Sequence, residues 1–207
     1  MRNPWLDIPL ADYEAHMASA EVAQAQLLST ILSDEIRALQ PRSIAVIGCA
    51  GGNGFASIPP ESIPRVVGID LNAGYLASTS ERFGTRFESL ELIHADIGAQ
   101  PPACGAVELA YAALVLEYVD LDRALPNLRT MLEAGGSLLT VVQLPSPHVP
   151  AVTPSPYLSL ALLESIMKPV SPAALRAAAA GAGLREIAST EHVAVAKRFV
   201  AQRFKAG

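Results

Sequence analysis

Uninterrupted apolar runs alternate with amphipathic stretches along most of the chain. Ile44-Ala45-Val46-Ile47 is the first run, and Val66-Val67-Gly68-Ile69 the second. Others lie at 90–94, 107–112 and 137–143. Runs this short and this apolar suit parallel strands covered on both faces. Between them, apolar residues recur at helical spacing. The stretch 19–39, with Val22, Ala23, Gln26, Leu27, Thr30, Ile31, Asp34 and Leu39 on one stripe, is predicted to be one long helix capped by Ser19 and stopped by Pro41. Asp12 to Met17 adds a helical turn before it. A short helix is expected over 52–57, after which Pro59, Pro60 and Pro64 force an irregular link. Asn72 caps a helix over 73–83 that Gly84 closes. Leu121, Leu125, Leu128 and Leu132 place a helix over 120–134, in which Pro126 either falls in the first turn or forces a kink. Gly135-Gly136 then turns into the fifth strand. Ser171 caps an alanine-rich helix to about Ala180. The last two strands, 184–195 and 198–204, are joined by too few residues for a crossover helix, so they form an antiparallel hairpin. The pattern predicts an α/β fold: a doubly wound, mostly parallel seven-stranded sheet, Rossmann-like, with a C-terminal antiparallel hairpin.

One domain over 1–207 accounts for this pattern, with two appendages. Residues 1–40 form an N-terminal helical segment. Residues 144–172 form an insertion rich in proline (Pro145, Pro147, Pro150, Pro154, Pro156, Pro169 and Pro172), with a helix expected over 157–167. An insertion at this point of a doubly wound sheet lies above the carboxyl ends of the strands, where ligands bind. It is either a substrate lid or a rigid excursion or dimer contact. Tyr13, His16 and Met17 have a lid reading and a packing reading. Packing is preferred for His16 and Met17, and both readings stand for Tyr13.

The candidate chemistry sits where the strands end. The first run breaks into Gly48-Cys49-Ala50-Gly51-Gly52-Asn53-Gly54, a turn whose glycines let the backbone lie close to something flat or charged. A following helix would point free N–H groups at its mouth, which makes a nucleotide-binding device. Asp70 ends the second strand, where a carboxylate accepts both hydroxyls of a ribose. Asp96 follows the third strand and can accept from the exocyclic amine of an adenine. His148 carries an imidazole that can take a proton from an attacking hydroxyl or amine, although a lone loop histidine is usually only solvated.

In order and spacing, the glycine turn, Asp70 and Asp96 resemble the class I S-adenosylmethionine-dependent methyltransferases, from about residue 40 to the C-terminus. The resemblance implies S-adenosylmethionine as the cofactor. Gly48, Cys49, Ala50 and Gly52 would cradle it, Asp70 and Leu71 would take its sugar, and Asp96 and Ile97 its base. Ala112 would lie beneath it, and Tyr13 would fold over it. The end of the fourth strand would face the methyl acceptor, which makes Glu117, Tyr118 and His148 the candidate catalytic residues. Glu117 is a base or an orienting group on one reading, a helix cap or solvated side chain on the other. Two departures stand out. The family usually has an acid where this chain has Val46, which removes a contact to the methionine amino group. Its second glycine is Ala50 here, which adds a methyl where the backbone should approach closely. A nicotinamide dehydrogenase would need Gly-x-Gly-x-x-Gly, and Gly48-Cys49-Ala50-Gly51-Gly52-Asn53 fails at the third and last positions. A non-catalytic binding or scaffold protein is the other rival, on the strength of Val46 and Ala50.

Composition narrows the partners. A net charge of −5 argues against a nucleic-acid substrate. Tyr111-Ala112-Ala113-Leu114 stands where the nucleic-acid amino-methylating enzymes carry Asn/Asp-Pro-Pro-aromatic. No Pro-Cys pair suggests cytosine C5 chemistry, and no His/Asp/Glu cluster suggests a metal. A small-molecule acceptor is left by elimination. Cys49 and Cys104 lack the spacing of a metal site or a disulfide framework, and Cys49 reads as a small buried group. With Arg2, Asp7, Asp12 and Glu14 near the start and no apolar run approaching ~20 residues, neither a signal peptide nor a membrane span is expected. The expectation is a cytoplasmic enzyme, with a homodimer as one option for its assembly.

Overall fold

The structure, a computed structural model, describes residues 3–207; Arg2, used in the signal-peptide reading, lies outside the described residues. Five strands, β1 (Ser43–Ile47), β2 (Arg65–Asp70), β3 (Ser89–His94), β4 (Val107–Ala113) and β5 (Leu132–Gln143), pair in parallel. The hairpin of β6 (Leu184–Ala194) and β7 (Lys197–Ala206) adds antiparallel to β5. The sheet order is β3-β2-β1-β4-β5-β7-β6. The order reverses between β1 and β4, so a crevice opens above their carboxyl ends. Consecutive β1 residues serve opposite faces. Ile44 and Val46 join one core layer with Leu32 of helix α2 (Gln24–Leu39), while Ala45 and Ile47 join another with Leu125 and Leu128 of helix α4 (Leu121–Thr130). Burial on both faces is why the run carries no polar residue.

Helix α3 (Ala73–Phe83) begins at Asn72, whose side chain accepts from the N–H groups of Gly74 and Tyr75, and helix α5 (Pro172–Gly181) begins at Ser171. Five features depart from the sequence pattern. The predicted 19–39 helix is two helices, α1 (Leu10–Ala18) and α2. Ser19 ends the first, and its carbonyl accepts from the N–H groups of Val22 and Ala23 in a turn that buries Val22. The helix expected over 120–134 stops at Thr130 and runs through Pro126. Gly135-Gly136 forms a bulge inside β5, where a Cβ on Gly136 would press on backbone atoms of Glu133 and Val107. Residues 158–165 are a 3-10 segment. Most important for the site, no α-helix follows the glycine turn. Phe55–Ser57 is a single 3-10 turn. Phe55, Ile58 and Ile63 fill the space a crossover helix would occupy, with Phe55 edge-on to Phe83 and Phe87.

A third apolar cluster sits apart from the sheet. Ile8 of the N-terminal segment packs there with Leu160 and Leu163 of the insertion, surrounded by Trp5, Tyr13 and Tyr118. Ser159 Oγ donates to Asp12 Oδ2 at 2.7 Å across this junction. The two appendages therefore meet each other over the carboxyl ends of the strands.

Candidate active site

The glycine turn is held by the strand beside it. The N–H groups of Gly48 and Cys49 both donate to the carbonyl of Ile69, at 2.8 and 3.1 Å. Ala50 N–H donates to Asp70 Oδ2 at 2.8 Å, and Asn72 N–H donates to Asp70 Oδ1 at 2.8 Å. Asp70 thus fixes the turn after β1 to the turn after β2. Its carboxyl is raised by burial, opposed by those N–H donors. Thr79 Oγ1 donates to the Ala50 carbonyl at 2.8 Å, and Arg82 donates to the Gly51 carbonyl while paired with Glu14. Gly48 has φ +67° and Gly52 φ +100°, backbone that only glycine takes without strain. Ala50 sits at φ +46°.

A cavity of about 280 Å³ lies above this turn. Gly48, Ala50, Asp70, Leu71, Asp96, Ile97, Tyr13 and Tyr118 all line it. Asp70 is nearly buried at 8% exposure, whereas Asp96 is exposed, with Oδ1 accepting from Gly98 N–H at 2.8 Å. The roof is the N-terminal segment. Asn72 Nδ2 donates to the Trp5 carbonyl, Tyr75 Oη to the Ile8 carbonyl, and Asn53 Nδ2 to Tyr13 Oη. The Trp5 ring stands edge-on to Tyr13 and to Tyr118, with centroids at 5.5 and 5.2 Å.

Other sequence candidates lie elsewhere. Cys49 turns its thiol into the core, beside Gly68, and burial pushes that thiol up. Gly52 faces Phe83 rather than the cavity. Ala112 points into the core, and because side chains alternate along a strand its neighbour Ala113 reaches the wall instead. His148 is exposed in the insertion and lines no cavity near the site. Glu117 does not touch the first cavity. It is fully buried behind it, with Gln143 N–H donating to Oε1 at 2.8 Å, and burial raises its carboxyl to about 7. Val46 is buried in the core layer beneath the turn. Trp5, Val119 and Arg123 also line the cavity and were not singled out from sequence. Trp5 is the chain's single tryptophan, set among polar residues near the start, a composition cue too weak to point to a site.

The comparisons with known proteins bear on this geometry. A family model described as a methyltransferase domain matches residues 45–140, from the first strand to the fifth. The fold is similar to an N-methyltransferase, NodS, from Bradyrhizobium japonicum in complex with S-adenosyl-L-homocysteine: TM-score 0.61, 19% identity, 97% of this chain and 89% of that one. Residues 45–140 are therefore similar to a methyltransferase domain. A magnesium protoporphyrin IX methyltransferase from Synechocystis with bound S-adenosylhomocysteine shares the fold at TM-score 0.69 and 10% identity, over 95% of this chain and 94% of that one. So does a [4+2]-cyclase, SpnF, at TM-score 0.67 and 13% identity, over 89% and 82%. Identities this low speak to the fold alone. No curated protein sequence matches the chain.

The cavity's lining suits S-adenosylmethionine. The nearly buried Asp70 carboxylate keeps unused acceptor lone pairs for a vicinal diol, since each oxygen takes one N–H. Ile97, Leu71 and Val119 offer flat apolar surface beside Asp96 for a base. Trp5, Tyr13 and Tyr118 add aromatic surface to the wall, of a kind that can attract a cation. A methyl group on Gly48 would press on Val115 at 3.2 Å, so the cradle depends on glycine there.

Proposed function

We propose that this protein transfers a methyl group from S-adenosylmethionine to a small-molecule acceptor. The cavity at the strand-order reversal carries the reading, because it joins Asp70 on the sugar side and Asp96 on the base side to an aromatic wall. S-adenosylmethionine supplies an electrophilic methyl group when bound, so the protein's task is to bind, align and exclude water. Alignment alone can contribute ~7–11 kcal/mol. Gly48 and Ala50 would hold the cofactor's backbone-facing side, Asp70 its ribose, and Asp96 with Ile97 its adenine. The 3-10 turn after Gly54 removes the helix N-terminus on which a dinucleotide pyrophosphate would rest, which supports this cofactor over a nicotinamide one. Among the described residues no helix is long and apolar enough to cross a membrane.

A second reading has its own support. Val46 leaves the cofactor's amino group without an acid, and Ala50 is held in left-handed backbone at the cavity wall. These favour a protein that binds S-adenosylmethionine or S-adenosylhomocysteine without transferring a methyl group. Calorimetry with S-adenosylhomocysteine, followed by incubation with methyl-labelled S-adenosylmethionine and a panel of small phenols and amines, separates the two. Binding with label transfer is the expected result. Binding without transfer to any acceptor supports the second reading, and no binding at millimolar ligand overturns both.

A further inference from the structure

Behind the aromatic wall lies a second, smaller cavity of about 60 Å³. Trp5, Tyr13, Leu114 and Tyr118 line both cavities, so the two chambers adjoin along these residues. The outer wall of the second comes from the insertion, through residues such as Val152, Leu160 and Leu163. Its polar residues are brought together from every part of the fold: His16 from α1, Gln24 from α2, Glu117 after β4, Gln143 from β5 and Lys197 from β7. Each is at most 7% exposed.

Their hydrogen bonds do not close on themselves. Lys197 Nζ and Gln143 Nε2 both donate to the Ala151 carbonyl, at 2.6 and 3.1 Å. Gln143 N–H satisfies Glu117 Oε1. Glu117 Oε2 and His16 Nδ1 are buried and have no hydrogen-bond partner among the described residues. A buried polar atom in this state costs ~1–3 kcal/mol, and two of them on one small cavity beside a cofactor chamber mark a polar ligand group rather than packing.

We infer that this chamber receives the hydroxyl end of a small phenol or enol, whose O–H donates to Glu117 Oε2 while His16 Nδ1 holds the same oxygen. The inference rests on the methyltransferase reading above and adds the acceptor class and the proton acceptor. The oxygen gains the methyl carbon through one of its lone pairs and gives its proton to the Glu117 carboxylate. The carbon–sulfur bond breaks with its electron pair left on sulfur, which cancels the sulfonium charge. Glu117 is the catalytic residue and His16 a positioning residue. The chamber's charges select this class. Lys197 favours negative charge developing on an oxygen, and a protonated amine would add a further cation beside Lys197 and the sulfonium in surroundings of low dielectric. A phenol or enol releases its proton more readily than an aliphatic alcohol does, which suits a carboxylate raised to about 7. Glu117 shares the chamber's lining with His16 and Tyr13 of α1, Tyr118 and Lys197. Burial lowers both His16 and Lys197, the latter to about 8.

Trp5 borders both chambers and is the single tryptophan, so its fluorescence reports on each. Full-length protein is first saturated with S-adenosylhomocysteine, with calorimetry confirming that step, and then titrated with phenol, benzylamine or toluene. Phenol is expected to bind at least about tenfold more tightly than either isostere. E117Q and H16F should each weaken phenol about tenfold and leave S-adenosylhomocysteine affinity unchanged. Phenol affinity of the native protein should rise above pH 7, and E117Q should lose that rise. K197M, which keeps both unpartnered atoms, should narrow the preference for phenol over benzylamine and so tests the chamber even if E117Q does not fold. Normal S-adenosylhomocysteine binding with equal affinities for the three probes overturns the inference alone. Absence of S-adenosylhomocysteine binding overturns the methyltransferase reading with it.

Discussion

Glu117 makes the stability of the protein depend on pH in a way that one substitution removes. Its carboxyl is fully buried and is raised from 4.5 to about 7, mainly by loss of solvation, with the Gln143 N–H bond opposing the shift. Below pH 4.5 folded and unfolded chains both hold the proton. Between 4.5 and 7 the unfolded chain releases it while the folded chain keeps it, so each pH unit favours unfolding by ~1.4 kcal/mol. Above 7 both states are ionised and the difference stops growing. Over that window the folded state loses ~3 kcal/mol of the stability that Glu117 allows at low pH. Glutamine keeps an oxygen for Gln143 N–H and carries no charge at any pH. Urea unfolding of native protein and Glu117→Gln at intervals from pH 4.5 to 8 isolates the effect, because the other titrating groups cancel in the difference. The variant's advantage should rise by ~2–3 kcal/mol from pH 5 to pH 7.5 and then level off. A difference that stays constant with pH would refute both the burial argument and the carboxyl's assigned range.

Three further outcomes follow from the geometry. Asp70→Asn keeps one acceptor for the N–H groups of Ala50 and Asn72 but turns an amide donor toward the other. It should lower S-adenosylhomocysteine affinity about 10- to 100-fold by calorimetry, with a loss of ~1.5–3 kcal/mol for each charge-assisted bond removed. Gly52→Ala forces a methyl into Phe83 at 2.4 Å in backbone of φ +100°, and should lose ~2–4 kcal/mol, read as a fall in Tm of several degrees. Val195 is a β-branched residue at φ +53° in the two-residue link between β6 and β7. Val195→Gly should therefore raise stability by ~1 kcal/mol, visible in the same melt.

The parallel sheet was legible because its strands are buried on both faces, and a continuous apolar run of strand length between turn residues fits little else. Asn72 and Ser171 were legible as caps because their side chains bond locally, within three residues of themselves. What escaped was set by distant contacts. Ser19 has a cap's composition, yet burial of Val22 bends the chain there and splits the helix. The run from Gly52 to Ser57 lacks its helix because Phe55 packs on Phe83 and Phe87, a choice made by tertiary structure. Asp70 announced itself by ending β2, and Asp96 by following the end of β3. Cys49, Gly52 and Ala112 were each near the right place but on the wrong side of the backbone, which spacing alone does not resolve. The second chamber was the least legible part. His16, Glu117, Gln143 and Lys197 come from four separate elements, and no spacing along the chain brings them together.

The direction of the last strand has a practical result. β7 runs opposite to β5, so Gly207 emerges at the far end of the sheet from the glycine turn, where its carbonyl accepts from Arg129 at 2.7 Å. Asn3 and Trp5, by contrast, form part of the rim of the first cavity. An affinity tag joined to the front of the chain would hang over the ligand entrance, whereas one joined behind Gly207 leaves that entrance clear. Binding constants measured with the two tags should differ, and those from the rear-tagged protein are the ones to interpret.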